Sequence, residues 1–283
     1  MRKSLLAAAA LMMPAAHAAA PPAPPVAVSA STFTYADLAD LAAASPIVAD
    51  VTVLRATRLK PAQAPGLAPG YARFYVEGAV LALIRGAQGL PGEVSWLVDL
   101  PLDARNRLPK LSKKTRLLLL ATPGARAGEI RLAAPYAQFA WTPDLDARLR
   151  NVLTAMTAAA APPRVIGIGS AFHVPGSLPD ESETQIFLRT AENRPISLNV
   201  LRRPGEQPRW AVALGEMVDE AAAPPAPDSL LWYRLACFLP ATLPPAATAE
   251  LSPGDAAAAA EDYRFVITAL GQCRRNMAAA SGG

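Results

Sequence analysis

The segment Tyr71–Arg85, YARFYVEGAVLALIR, alternates with the period of a strand. Ala72, Phe74, Val76, Gly78, Val80, Ala82 and Ile84 share one parity; Tyr71, Arg73, Tyr75 and Glu77 hold the other, which turns apolar at Leu81 and Leu83. One face is therefore core along the whole length. Fully extended, the segment would span roughly 50 Å, too long for a flat strand in a small domain. Gly78 stands where a bend or bulge is easiest to accommodate. A long bent strand of this kind suits a small curled barrel, and nothing beside it resembles a reaction centre.

The flanking sequence supplies the rest of such a barrel. Upstream, Thr34 and Asp37 have the spacing of a capping box and Leu38 and Leu41 form a short apolar stripe, so residues 35–44 read as a helix stopped at Ser45-Pro46. Ile47, Ala49, Val51 and Val53 then share a strand face, with Asp50 and Thr52 turned away. Downstream, residues 93–100 (EVSWLVDL), 115–121 and 129–133 read as three further strands, giving five in all. Thr142 and Pro143 are an N-cap and a first helical residue, and Leu145, Leu149, Val152, Leu153 and Met156 make the apolar stripe of a closing helix.

The order of a helix TYADLADLAAAS, a strand ending PIVADVTVLRAT, a long strand with VEGAVLALIRG, and KKTRLLLLA before a short strand resembles bacterial exported domains related to the netrin/TIMP-like OB barrels. The resemblance covers residues 34–140 and implies an OB-like barrel. The better-known members pin the N-terminus to the barrel with disulfides; residues 34–140 here contain no cysteine.

Beyond an Ala/Pro joint at residues 158–163, residues 165–174, 184–190, 196–202 and 209–218 read as four strands joined by short turns, an antiparallel meander. Asp228 is the expected cap of a helix over 229–239, and Asp255 begins an Ala-rich helix through Tyr263, Val266 and Ile267. The fold class is thus α+β and β-rich: an OB-like barrel over 34–160, then a meander with a C-terminal helical pair over 164–276, and a disordered tail at 277–283.

At the N-terminus, Arg2 and Lys3 precede an apolar run from Leu5 to Met13 and the AxA site Ala16-His17-Ala18, which reads as a cleaved export signal over residues 1–18. A Pro/Ala-rich linker follows over 19–33. The apolar run is shorter than a spanning helix and is broken by Pro14, and no later run reaches spanning length. The expected product is periplasmic or secreted, without a transmembrane segment. Cleavage removes the two charges of Arg2 and Lys3 from a formal net charge of +4, and near-neutrality argues against nucleic acid as a partner.

Few residues point to chemistry. The mature chain keeps one histidine, His173, near Ser170, which admits a Ser/His hydrolase as an alternative, but GIGSAFHVPG is not a GxSxG elbow. Gly167-Ile168-Gly169 opens like a dinucleotide fingerprint, yet Phe172 stands at the third glycine position; it reads as strand glycine. With His173, Cys237 and Cys273 as the only soft ligands, no metal and no cofactor are expected. The basic cluster Arg105, Arg107, Lys110, Lys113, Lys114 and Arg116 is a possible anion-binding patch for a lipid headgroup or polysaccharide, against the plainer reading of a solvated loop. The sequence is read as a non-enzymatic binding or interaction module with an unidentified envelope protein, lipid headgroup or polysaccharide as partner. Cys237 and Cys273, the only cysteines of an exported chain, are expected to form a disulfide that clamps the connection between the two C-terminal helices and ties the C-terminus to the second domain.

Overall fold

The computed structural model describes residues 33–215 and 223–277. The expected signal at 1–18, residues 19–32 of the linker and residues 278–283 of the tail lie outside the described residues.

The fold is α+β and β-rich. Helix α1 (Tyr35–Ala44) leads into strands β1 (Ile47–Arg58), β2 (Tyr71–Arg85), β3 (Glu93–Pro101), β4 (Arg116–Pro123), β5 (Ile130–Leu132) and β6 (Gln138–Ala140), followed by helix α2 (Pro143–Thr157). The sheet runs β3-β2-β1-β4-β5, with β6 also on β4. It curls until β3 meets β5 at one parallel bridge, Ser95 to Glu129, where the Ser95 N–H donates to the Gly128 carbonyl at 2.8 Å. This is a nearly closed small barrel, consistent with an OB-like fold in general.

Its curl comes from extra residues. The β1–β2 register skips Leu54 on β1 and Leu81 and Ile84 on β2, and each unpaired residue sharpens the local twist. Gly78 lies beside the Leu54 bulge, but its own role is packing: a Cβ there would stand 3.1 Å from the Trp96 ring and 3.2 Å from the Thr52 carbonyl. Ile47, Val51, Phe74, Val76, Trp96 and Leu119 fill the interior.

Strand β4, RLLLLATP, is apolar in succession because both its faces are buried. Leu117 and Leu119 enter the barrel, while Leu118 and Leu120 join Val48, Phe139 and the apolar sides of α1 and α2 in a second cluster. The Thr34–Asp37 capping box is formed, and Thr142 caps α2. β6 is a strand that the sequence reading did not anticipate; three residues carry too little alternation to register.

Strands β7 (Val165–Pro175), β8 (Ser182–Thr190), β9 (Ile196–Arg202) and β10 (Arg209–Ala213) form an open antiparallel sheet in the order β10-β9-β8-β7. Residues 216–218, expected to extend the last strand, lie outside the described residues. Helices α3 (Leu230–Ala236) and α4 (Pro253–Leu270) follow, with Leu235, Ala259, Tyr263 and Val266 packed on Ile186, Leu198 and Val200. Two caps differ from expectation. Ser229, rather than Asp228, caps α3, and Asp228 takes a left-handed φ of 54°. Ser252 caps α4 and Asp255 lies in its first turn, where it answers the Ser252 hydroxyl at 2.8 Å.

The Cys237–Cys273 disulfide is formed, with Cα atoms 5.0 Å apart. It ties the segment after α4 to the end of α3, as expected of the helical pair. Both cysteines and Met277 pack on the cluster of α1 and α2, because α1 offers acceptors: the Asp37 carboxylate receives the N–H groups of Asn276 and Met277 at 3.1 and 3.0 Å, and Asp40 receives Arg275.

Candidate binding groove on the barrel

Antiparallel pairing fixes which atoms of β3 remain open. The Ser95 N–H points away from β2 toward Gly128, so in a regular strand the main-chain groups of Leu97 and Asp99 point the same way. Past the Ser95–Glu129 bridge no further bridge joins β3 to β5, and among the described residues no backbone partner reaches the Leu97 or Asp99 N–H. The barrel therefore has a free strand edge.

A groove of about 460 Å³ lies along that edge, between residues 95–99 of β3 and residues 129–135 of β5 and the turn beyond it. Trp96 and Ile130, each 1% exposed, make its floor. The Trp96 indole N–H donates to Gln138 Oε1 at 2.6 Å, so β6 fixes the ring from below. On the outer face Tyr75 stands opposite Leu97, 38% and 50% exposed. The pair is of the non-hydrogen-bonded kind, in which side chains approach most closely.

Ion pairs frame these two apolar residues. Arg73 grips Asp99 through two parallel bonds of 2.6 and 2.7 Å and also donates to the Pro65 carbonyl. On the other side Arg55 grips Glu77. The Asp99 carboxylate raises the Arg73 pKa, and the Arg55 guanidinium holds Glu77 below the usual carboxylate range. All four charges are already answered, which leaves the apolar pair and the open main chain as the uncommitted surface of the groove. The sequence contained the signal, since Tyr75 and Leu97 lie on the polar parity of their strands, but the groove needs β5 beside β3, a proximity that no local pattern encodes.

The basic cluster is divided by the fold. Arg116 is drawn away: its guanidinium donates to Asp50, 2% exposed, at 2.5 and 2.9 Å and lies 3.6 Å over the Trp141 ring. Arg107 pairs with Asp103 in its own loop. Arg105, Lys110, Lys113 and Lys114 are exposed, with no side-chain partner among the described residues.

Ser170 and His173 are not brought together. Ser170 falls in the β7–β8 register shift between Ile168 and Ala171, and no hydrogen bond joins it to the histidine. His173 Nδ1 lies 2.8 Å from Thr184 Oγ1, whose proton goes to the Asp262 carboxylate. With that proton committed, Nδ1 must be the donor, the reverse of a hydroxyl activated by a histidine base. Arg202 donates to the other Asp262 oxygen at 2.6 Å, so the network ties β7, β8 and β9 to α4. Among the described residues no three His, Cys, Asp or Glu side chains are placed to hold a metal, and no helix is long and apolar enough to cross a membrane.

Searched against protein-family models and against the curated proteins, the chain matches none.

Proposed function

We propose that this chain is an exported binding module of the cell envelope, periplasmic or secreted and without catalytic activity, which receives an extended segment of a partner protein along the open edge of β3. The observation that carries this reading is the unpaired main chain of Leu97 and Asp99 beside the exposed Tyr75–Leu97 pair. An added strand would bond to those main-chain groups and place alternate side chains against Tyr75, Leu97 and the groove floor, the usual division of affinity and specificity in strand addition. Export rests on the signal sequence at residues 1–18, and the disulfide suits an oxidising compartment. Kinship with netrin/TIMP-like barrels rests on the order of elements over residues 34–140.

Panning a library of displayed linear peptides on the mature chain tests it. Selected peptides are expected to lose binding to Leu97→Pro, which removes the open N–H without touching the β2 ladder, while retaining it with Lys113→Glu. Failure to select any peptide, or equal binding to Leu97→Pro, would remove the proposal.

A further inference from the structure

A second cleft, of about 530 Å³, lies along β7, the edge strand of the open sheet. Apart from Arg189 its side chains are apolar, Ile166 and Ile168 from β7, Phe238, Leu239 and Pro240 after α3, and Pro244 beyond, while polar atoms make up nearly half of the exposed lining. Ile166 and Phe238 are 61% and 44% exposed, so apolar surface is left uncovered at the mouth.

One charged side chain lines this cleft, and the glycines explain how it arrives. Arg189 sits on β8, opposite Gly167. To reach a cleft on the other side of β7 it must cross that strand, and it does so over Gly167 and Gly169: a Cβ at Gly167 would meet the Arg189 guanidinium at 2.8 Å, and one at Gly169 would meet its stem at 3.6 Å. The GIG sequence is thus a bed for an arginine rather than a phosphate loop. Arg189 makes no ion pair or hydrogen bond among the described residues, whereas Arg164 and Arg202 nearby are each held by a carboxylate. A guanidinium laid along an apolar cleft without an acid partner is placed to receive a planar anion in fork geometry.

We propose that this cleft binds a monoanionic amphiphile, an aliphatic carboxylate whose chain lies against Ile166, Phe238 and Pro240 and whose head group pairs with Arg189. The side chains favour this class: Arg189 is the only charged one, which selects one negative charge, and the others are apolar, which suits a hydrocarbon body. The volume lies within the range of small-molecule sites. This site is separate from the barrel groove, and neither proposal depends on the other.

Titration calorimetry of the mature chain with dodecanoate, held below its micelle concentration, tests the assignment, with dodecylammonium as a probe of equal chain and opposite charge. One dodecanoate is expected to bind per chain, at least about tenfold more weakly to Arg189→Gln, and dodecylammonium is expected not to bind. Phe238→Ser should weaken dodecanoate similarly while the fold, read by circular dichroism, stays intact. Absence of dodecanoate binding, equal binding to Arg189→Gln, or equal binding of the cationic probe would each overturn the proposal.

Discussion

Tyr233 on α3 donates its hydroxyl proton to Asp40 on α1 at 2.6 Å, and so joins the C-terminal helical pair to the helix that precedes the barrel. The same carboxylate holds Arg275 of the C-terminal segment. Tyr233 is 2% exposed and packs edge-on against Phe238. Replacing it by phenylalanine keeps the ring and loses the bond. Tyr233→Phe should lower the unfolding free energy by about 1 kcal/mol, measured by urea denaturation at neutral pH.

Burial, then the Asp40 contact, raises the Tyr233 pKa above its ordinary value of 10, and burial does the same for Tyr263. The folded state therefore keeps protons that the unfolded state releases. This contribution is complete below pH 10 and is lost as pH rises above it. The urea midpoint should fall on the alkaline side of pH 10, and the Tyr233→Phe, Tyr263→Phe double variant should show a shallower fall. Phenolate absorbance from these two residues is expected to appear together with unfolding, not before it.

The disulfide closes a loop between residues 36 positions apart. In the chain-entropy model this contributes about 4 kcal/mol. The Cys237→Ser, Cys273→Ser double variant should lose up to that amount. The C-terminal segment should also loosen on α1, which amide exchange at Asn276 and Met277 will register, since both donate to Asp37. Unchanged stability would mean that the contacts of α3 and α4 alone hold the C-terminus.

Gly78→Ala should destabilise by about 1–3 kcal/mol as an overpacked substitution, because the new methyl meets both the Trp96 ring and a backbone carbonyl. Charge reversal of the exposed Lys113 and Lys114 should change stability by no more than about 0.5 kcal/mol. Thermal unfolding of both variants under one set of conditions gives the contrast.

What the sequence revealed and what it hid follow a physical division. The bounds of β2 are legible to the residue, since its positions alternate clearly from Tyr71 to Gly78, and so are the Thr34 and Thr142 caps, which depend on neighbours three residues away. Asp228 and Ser229 are adjacent residues of good capping type, which sequence alone does not separate; Asp228 has a left-handed backbone and Ser229 makes the cap. Long-range proximities were hidden. Nothing local tells that Asp37 will bind the main chain of Met277, that Thr184 will stand between His173 and Asp262, or that β5 will leave β3 after a single bridge. The groove along β3 belongs to that second kind, although Tyr75 and Leu97 are visible as apolar residues on polar faces.

The open edge of β3 is tested most directly by amide hydrogen exchange, resolved by residue, on the mature chain with and without a peptide selected on it. In the free protein the Leu97 and Asp99 amides should exchange faster than those of Trp96 and Val98, which face β2. Binding should slow Leu97 and Asp99 and leave Trp96 and Val98 nearly unchanged. Protection of Leu97 and Asp99 in the free protein, or a footprint confined to the basic loop around Lys113 and Lys114, would contradict the account.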